Sequence, residues 1–531
     1  MRRIFANGKF HTMDQMHPMV EAVVVENGRI IDLGNTTSMK AHWNHGKTEV
    51  VDLNEAFVTP GLIDSHLHIA GIAENIRNLN VTDCTSADEM LAEIKKHVER
   101  LKPGEWIVGR GWNENEFDNG VIPTIEELDR VAPHNPMYIA RICGHASLVN
   151  SQALEVCGIH PYIAVPEGGT IVLDEQTRKP SGLFLEAASG LIRKHIPGPT
   201  YEAYEKSMRG AIEFSMSKGL TSVHTNDPRF LGGFDQTYKI YDTLLNKEQM
   251  GLRCNLLIDH EFMDDLYERG MYTGYGNETL NIGAVKIFVD GAIGRRTALL
   301  SEPYSDDLGQ YGDAMYSQDA LYKIVKQART LGMPIAVHVI GDQALENILD
   351  VLDEFPTVAY RDRLIHVQVL REDLIKRLAM PSRIADIQPR FLAGDFPWVQ
   401  DRLGEERSKL AYAWKSLMNA GVVCAGGSDC PVEPVDPMLG IHAAVTRKRP
   451  DEMHNGYNER EKLTMEEALM LFTKMGAYPT NEETIKGTIT RGKLADLTVY
   501  DKDLYHLNDP DELLETTIKR TIIGGKTTFE Q

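Results

Sequence analysis

Eight short apolar runs alternate with longer stretches of helical periodicity, and this alternation constrains the fold more than any other feature of the chain. The runs are Phe57–His66, Pro136–Arg141, Leu220–Thr225, Ala284–Asp290, Met333–Val339, Arg363–Val369, Arg383–Pro389 and Gly421–Asp429. Between and after them lie segments such as SQDALYKIVKQARTLG and TMEEALMLFTKMGA, whose apolar residues recur three and four positions apart. Eight strands with helical connections predict an α/β fold, a (β/α)8 TIM barrel, in which chemistry gathers at the C-terminal ends of the strands.

The two ends of the chain read differently. Residues 1–57 and 486–531 carry short β-rich runs broken by turns, with Asn-Gly at Asn7-Gly8 and Asn27-Gly28 as hairpin signals. Both ends are expected to build one small composite β domain, with residues 58–485 between them forming the barrel. His68 to Met137 and Arg141 to Leu220 are too far apart for simple βα units, so an inserted subdomain is expected over about residues 70–200. No fixed-period repeat is present. A length of 531 residues suits this multi-part organisation.

Charge narrows the partners. The chain has 56 Lys plus Arg against 77 Asp plus Glu, a formal net charge of -21, which opposes nucleic acid and anionic membrane surfaces. A small-molecule substrate is the expected partner, with a homodimer as an open possibility. The six cysteines form no CxxC pair, so reduced thiols are expected. No apolar h-region follows Arg2-Arg3, and no window of about 18 apolar residues occurs, which makes a soluble cytoplasmic protein the expectation.

The strongest chemical signal is Asp64-Ser65-His66-Leu67-His68 at the end of the first apolar run. In an extended strand, residues i and i+2 face the same side, so His66 and His68 offer two imidazoles to one point, as a divalent metal requires. Later runs each end in a further donor type: Lys286, His338, His366 and Asp429. Singly, the two later histidines also read as core residues, and Asp429 after Gly426-Gly427 as a turn residue. Lys286, between Val285 and Ile287, is the hardest to read as packing, because an unpaired buried ammonium is costly.

VTPGLIDSHLH, RICGHASLVNSQAL, GLTSVHTND, AVKIFVDGAIGRRTA, MPIAVHVIGDQAL, LIHVQ, AGGSDCPVEPVDP and GTITRGKLADLTVYDKD together resemble the amidohydrolase superfamily, in its YtcJ-like, amidohydrolase-3 group, which includes N-substituted formamide deformylases. The resemblance spans nearly the whole chain. It implies a barrel beside a β-sandwich made from both termini, and one or two divalent metals per chain, zinc first by ligand type. It further implies His66 and His68 on a first metal, a carbamylated bridging Lys286, His338 and His366 on a second, and Asp429 touching the first. The implied activity is hydrolysis of a non-peptide carbon–nitrogen bond, in an amide, N-substituted formamide or cyclic amide, by metal-activated hydroxide, with Asp429 as general base and then acid. Two alternatives stay open: the same centre cleaving an ester, lactone or phosphotriester, and a non-catalytic relative acting as an interaction protein.

Substrate contacts are expected from His145 as an oxyanion stabiliser, Arg295 and Arg296 for an anionic group, Trp112 as a pocket wall and His224 as a pocket-lining residue. Each has a plain structural alternative. Cys430 beside Asp429 reads as a buried thiol, with no histidine partner.

Overall fold

The computed structural model describes residues Met1–Gln531. It divides into two compact units, one formed by Met1–Ile72 with Met208–Gln531 and the other by Ala73–Ser207.

The first unit holds an eight-stranded, nearly closed parallel sheet. In chain order the strands are β1 (Leu62–Leu67), β2 (Leu220–Thr225), β3 (Arg253–Asp259), β4 (Leu280–Phe288), β5 (Ile335–Val339), β6 (Asp362–His366), β7 (Arg383–Ile387) and β8 (Val423–Gly426). Each pairs with its neighbour in sequence, so spatial and chain order coincide from β1 to β8. Buried on both faces, such strands need near-continuous apolar residues, which is why most were visible as apolar runs. The segment after β8 meets β1: Asp429 N–H donates to the His66 carbonyl at 2.7 Å, and His68 N–H to the Cys430 carbonyl at 2.7 Å.

Two strand assignments need correction. Pro136–Arg141 is not a barrel strand; Met137–Arg141 lies in the six-stranded sheet of the second unit, between strands Ile107–Trp112 and Ala146–Val149. The third barrel strand is Arg253–Asp259, which its polar residues had hidden. Those residues are buried with partners: Arg253 pairs with Asp496 at 2.6 Å, and the Asn255 side chain donates to Asn281 at 2.5 Å. The two errors cancel in the count, so Lys286, His338, His366 and Asp429 keep their places on or just after β4, β5, β6 and β8.

Of the two predicted helices, one runs over Gln318–Thr330, with Ser317 capping the Ala320 N–H and Leu321, Val325 and Ala328 on its buried face. The other, opened by a Thr464/Glu467 capping box, stops at Leu471. There the Phe472 carbonyl accepts from Ile63 N–H of β1 at 2.7 Å instead of continuing a helix.

Residues from both termini build two further sheets in the first unit. One orders Arg29–Gly34, Ala22–Glu26, Arg2–Ala6 and Thr48–Asp52; the other orders Lys526–Glu530, Ile518–Ile523, Leu497–Tyr500, Phe57–Pro60, Lys9–His11 and Met19–Val20. Phe5, Val23 and Val25 of the former and Phe10, Val58, Leu497 and Ile522 of the latter share one buried cluster. Asn27 and Gly28 adopt φ of 53° and 80°, the left-handed pair that a tight two-residue hairpin requires. Asn7-Gly8 instead carries the chain from one sheet to the other, so that expected hairpin is absent. No helix is long and apolar enough to cross a membrane. All six cysteines are free.

Candidate metal centre

Six side chains from five strand ends converge in the barrel mouth. His66 Nε2 and His68 Nε2 each lie 3.3 Å from Asp429 Oδ1, and Lys286 Nζ lies 3.3 Å from His66 Nε2. The ring centroid of His366 is 4.5 Å from that of His338 and 5.9 Å from that of His66. Strand register sets these heights: β4 pairs Phe288 with His338 of β5, and β5 pairs Val339 with His366 of β6.

Whether this group suits a cation is decided by what holds the imidazoles, of which His66 alone has no partner on its outer nitrogen, Nδ1. His68 Nδ1–H donates to the Asn226 carbonyl at 2.6 Å, His338 Nε2–H to the Gly291 carbonyl at 3.1 Å, and His366 Nδ1–H to Gln388 Oε1 at 2.7 Å. Each contact fixes the tautomer and leaves the other ring nitrogen with a bare lone pair, as outer partners do for metal-ligating histidines. Burial, with neighbouring Lys286, pushes His66 well below the ordinary histidine range, and burial takes His366 down to about 4. His338 is likewise depressed by burial and by His366. At neutral pH these are neutral rings with lone pairs to offer. Burial alone would raise the Asp429 carboxyl, but its contacts with His66 and His68 outweigh it and hold the group ionised, and without a cation the same contact raises His68 despite its burial. Imidazoles and one carboxylate converging in a buried space fit a divalent cation, and His66, His68 and Asp429 bring their ligand atoms within 4.8 Å of one another.

Lys286 is wholly buried, and burial lowers its amine to about 8. Its closest polar contact is an imidazole, which compensates an ammonium poorly.

The loop behind β8 is locked by Asp64. Its carboxylate accepts from Ser428 N–H and from His66 N–H at 3.1 Å, tying the two ends of the barrel sheet together beneath the donors. Gly427 allows this approach: a Cβ there would stand 2.6 Å from His66 N and 2.9 Å from Asp64 Oδ1. Gly427→Ala is therefore expected to cost about 1–3 kcal/mol of stability by overpacking and to displace His66. The checks are a lowered thermal midpoint and reduced metal retention on dialysis; a variant that matches the parent in both would show that this contact is not limiting. Backbone strain also concentrates here, with left-handed φ at His366, Val367 and Asp429 (80°, 47° and 54°).

The residues expected to meet the substrate come from both units. His145 and Trp112 belong to the second unit: His145 is exposed with Nδ1 2.9 Å from Glu186, and Trp112 is buried with its indole N–H donating to the Ile139 carbonyl at 2.9 Å. Trp112 thus packs in that unit's core. His224 is wholly buried on β2, and neither ring nitrogen has a partner. Arg296 is committed to Asp306 at 2.9 Å, while Arg295 is exposed on the surface. The Cys430 thiol is pushed up to about 12 by burial and stays protonated. Sequence reasoning missed Asn226, Gly291 and Gln388 as outer partners, because two of them act through backbone carbonyls that carry no side-chain signature. It also missed the buried Arg363–Asp386 pair beneath the donors, where Asp386 further accepts from Ser65; polar residues within the β6 and β7 runs were its only trace.

A family model described as the amidohydrolase family matches residues 49–529. The chain belongs to this family. It is 40% identical to the amidohydrolase YtcJ of Bacillus subtilis over 100% of both chains. It is 27% identical to the N-substituted formamide deformylase of Arthrobacter pascens, over 99% of this chain and 98% of that one. Among solved structures, an uncharacterized metal-dependent hydrolase from Pyrococcus furiosus matches with a TM-score of 0.77 and 28% identity, covering 95% of this chain and 99% of that one. Family, structural likeness and donor set agree on a metal-dependent hydrolase.

Proposed function

We propose that this amidohydrolase cleaves a non-peptide carbon–nitrogen bond, in an amide or N-substituted formamide. The observation that carries the reading is the convergence of four imidazoles, Lys286 and an ionised Asp429 on one buried point at the C-terminal mouth of the barrel. The kinship with a formamide deformylase supports the bond type.

His66, His68 and Asp429 would hold a first divalent metal, and His338 with His366 a second; zinc suits these ligands best. Bound there, the metal supplies Lewis acidity toward a substrate carbonyl and a water molecule. The protein's own groups do the rest. Asp429 Oδ1 faces both histidines, which leaves Oδ2 to take the proton of the attacking water and return it to the departing nitrogen. The Lys286 amine, adding to carbon dioxide and losing a proton, would become a carbamate whose negative charge removes the problem of a buried ammonium and adds an anionic ligand beside His66. The loss of any donor would have favoured an interaction protein, but all six positions are filled.

The test is a panel of N-formyl and N-acyl amines beside matched esters, lactones and phosphotriesters, run on protein purified without chelators and assayed for metal by elemental analysis. Bound metal with preferred turnover of the C–N substrates is expected. Preferred turnover of the oxygen esters or phosphotriesters would move the reading to that class, and no metal uptake from zinc or manganese would overturn the hydrolytic one.

A further inference from the structure

The mouth of the barrel holds a cation outside the donor cluster. Arg229, four residues beyond β2, places Nε 3.0 Å from Asp259 Oδ1 and Nη2 3.1 Å from Glu261 Oε2, and neither ion pair uses its Nη1. Its side chain is 43% exposed, whereas that of Asp259 is fully buried and that of Glu261 is 57% exposed. Asp259 therefore anchors the guanidinium by charge, and Glu261 is a solvent-side partner that an incoming carboxylate can replace.

This anchor is tied to the metal donors. Asp259 accepts from the Asn226 side chain at 3.2 Å, and the Asn226 carbonyl accepts from His68 Nδ1–H at 2.6 Å. The guanidinium carbon stands 5.3 Å from the ring centroid of Phe288, and the same ring lies 4.8 Å from Lys286 Nζ and 5.3 Å from the His338 ring. Phe230, 45% exposed, lies 5.4 Å from the His68 ring. Two partly exposed phenyl rings thus border the donors, one of them also carrying the arginine. An apolar wall with one fixed polar group is how small-molecule sites set orientation. In a chain of net charge -21, a half-exposed cation at the mouth is the local feature that admits an anion.

We infer that Arg229 is a specificity-determining residue: it takes the carboxylate of an N-acylated or N-formylated amino acid whose apolar side chain lies against Phe288 and Phe230. This rests on the C–N hydrolase reading, and gives the role expected of Arg295 and Arg296 to a different arginine.

The experiment compares N-formylphenylalanine with N-formyl-2-phenylethylamine, which differ by the carboxylate, on the metal-loaded parent, Arg229→Met and Arg229→Lys. The parent is expected to favour the acid in kcat/KM, Arg229→Met to lower the acid-to-amine ratio by about tenfold or more, and Arg229→Lys to restore part of it. Calorimetric binding of 3-phenylpropionate against 3-phenylpropanamide reads the same preference without turnover and is expected to shift by a similar factor. A structural role alone would lower both compounds together. An acid-to-neutral ratio unchanged in Arg229→Met, in either measurement, overturns the assignment. If the parent cleaves neither formamide and turns over the matched esters or phosphotriesters instead, the C–N reading fails, and the calorimetric ratio still decides Arg229.

Discussion

Asp429→Asn is expected to lower kcat/KM by about 10²–10⁴-fold, the range of a lost general acid–base group, while the protein keeps part of its metal. Asparagine retains an oxygen where Oδ1 stands 3.3 Å from both His66 and His68, so the donor geometry survives in part. It cannot hold a transferable proton. The carboxyl is suited to that task by its surroundings: burial would neutralise it, but the two histidines outweigh burial and keep it ionised and ready to accept. Elemental analysis beside steady-state kinetics separates the outcomes. Turnover near the parent level with metal bound would remove Asp429 from proton transfer, and complete loss of metal would make it chiefly a ligand.

Lys286→Met is expected to reduce bound metal from about two equivalents per chain to about one, with turnover falling alongside, because a binuclear site needs an anion between its cations. Methionine has a similar length and removes a wholly buried amine that lacks a carboxylate partner, so the fold should tolerate it, and the thermal midpoint should hold or rise. Circular dichroism and the thermal midpoint check the fold, and elemental analysis reads the metal. An undiminished complement in Lys286→Met would mean that the lysine bridges nothing and that its place among the donors is steric. Mass measurement of the intact parent under carbon dioxide-saturated native conditions, showing an added 44 Da (the mass of carbon dioxide) that the variant lacks, would identify the carbamate directly.

The donors were legible because strand geometry reaches the sequence. A two-residue period puts His66 and His68 on one side, and a buried parallel strand must be apolar, so a lysine or histidine inside such a run stands out. Lys286, His338, His366 and Asp429 could be noticed on those grounds, and the spread of motifs along the chain pointed to the family. The same criterion failed for Arg253–Asp259. There Arg253, Asn255 and Asp259 find partners from distant segments, so burial did not require an apolar run. Met137–Arg141 failed in the opposite sense, since an apolar strand carries no mark of which sheet it joins.

By itself, then, the sequence determined the alternation of strands and helices, the donor types and their order along the chain, because these follow from local periodicity and residue chemistry. Only the tertiary structure decided which eight strands form the barrel, which nitrogen His68, His338 and His366 present, that Gly427 must lack a side chain, and that Arg296 is paired with Asp306. Each of these depends on contacts between residues from ten to several hundred positions apart: Asp64 with Ser428, His68 with Asn226, Arg296 with Asp306. Such contacts are set by packing and by the need to satisfy buried polar groups, and neither is encoded in any one stretch of chain.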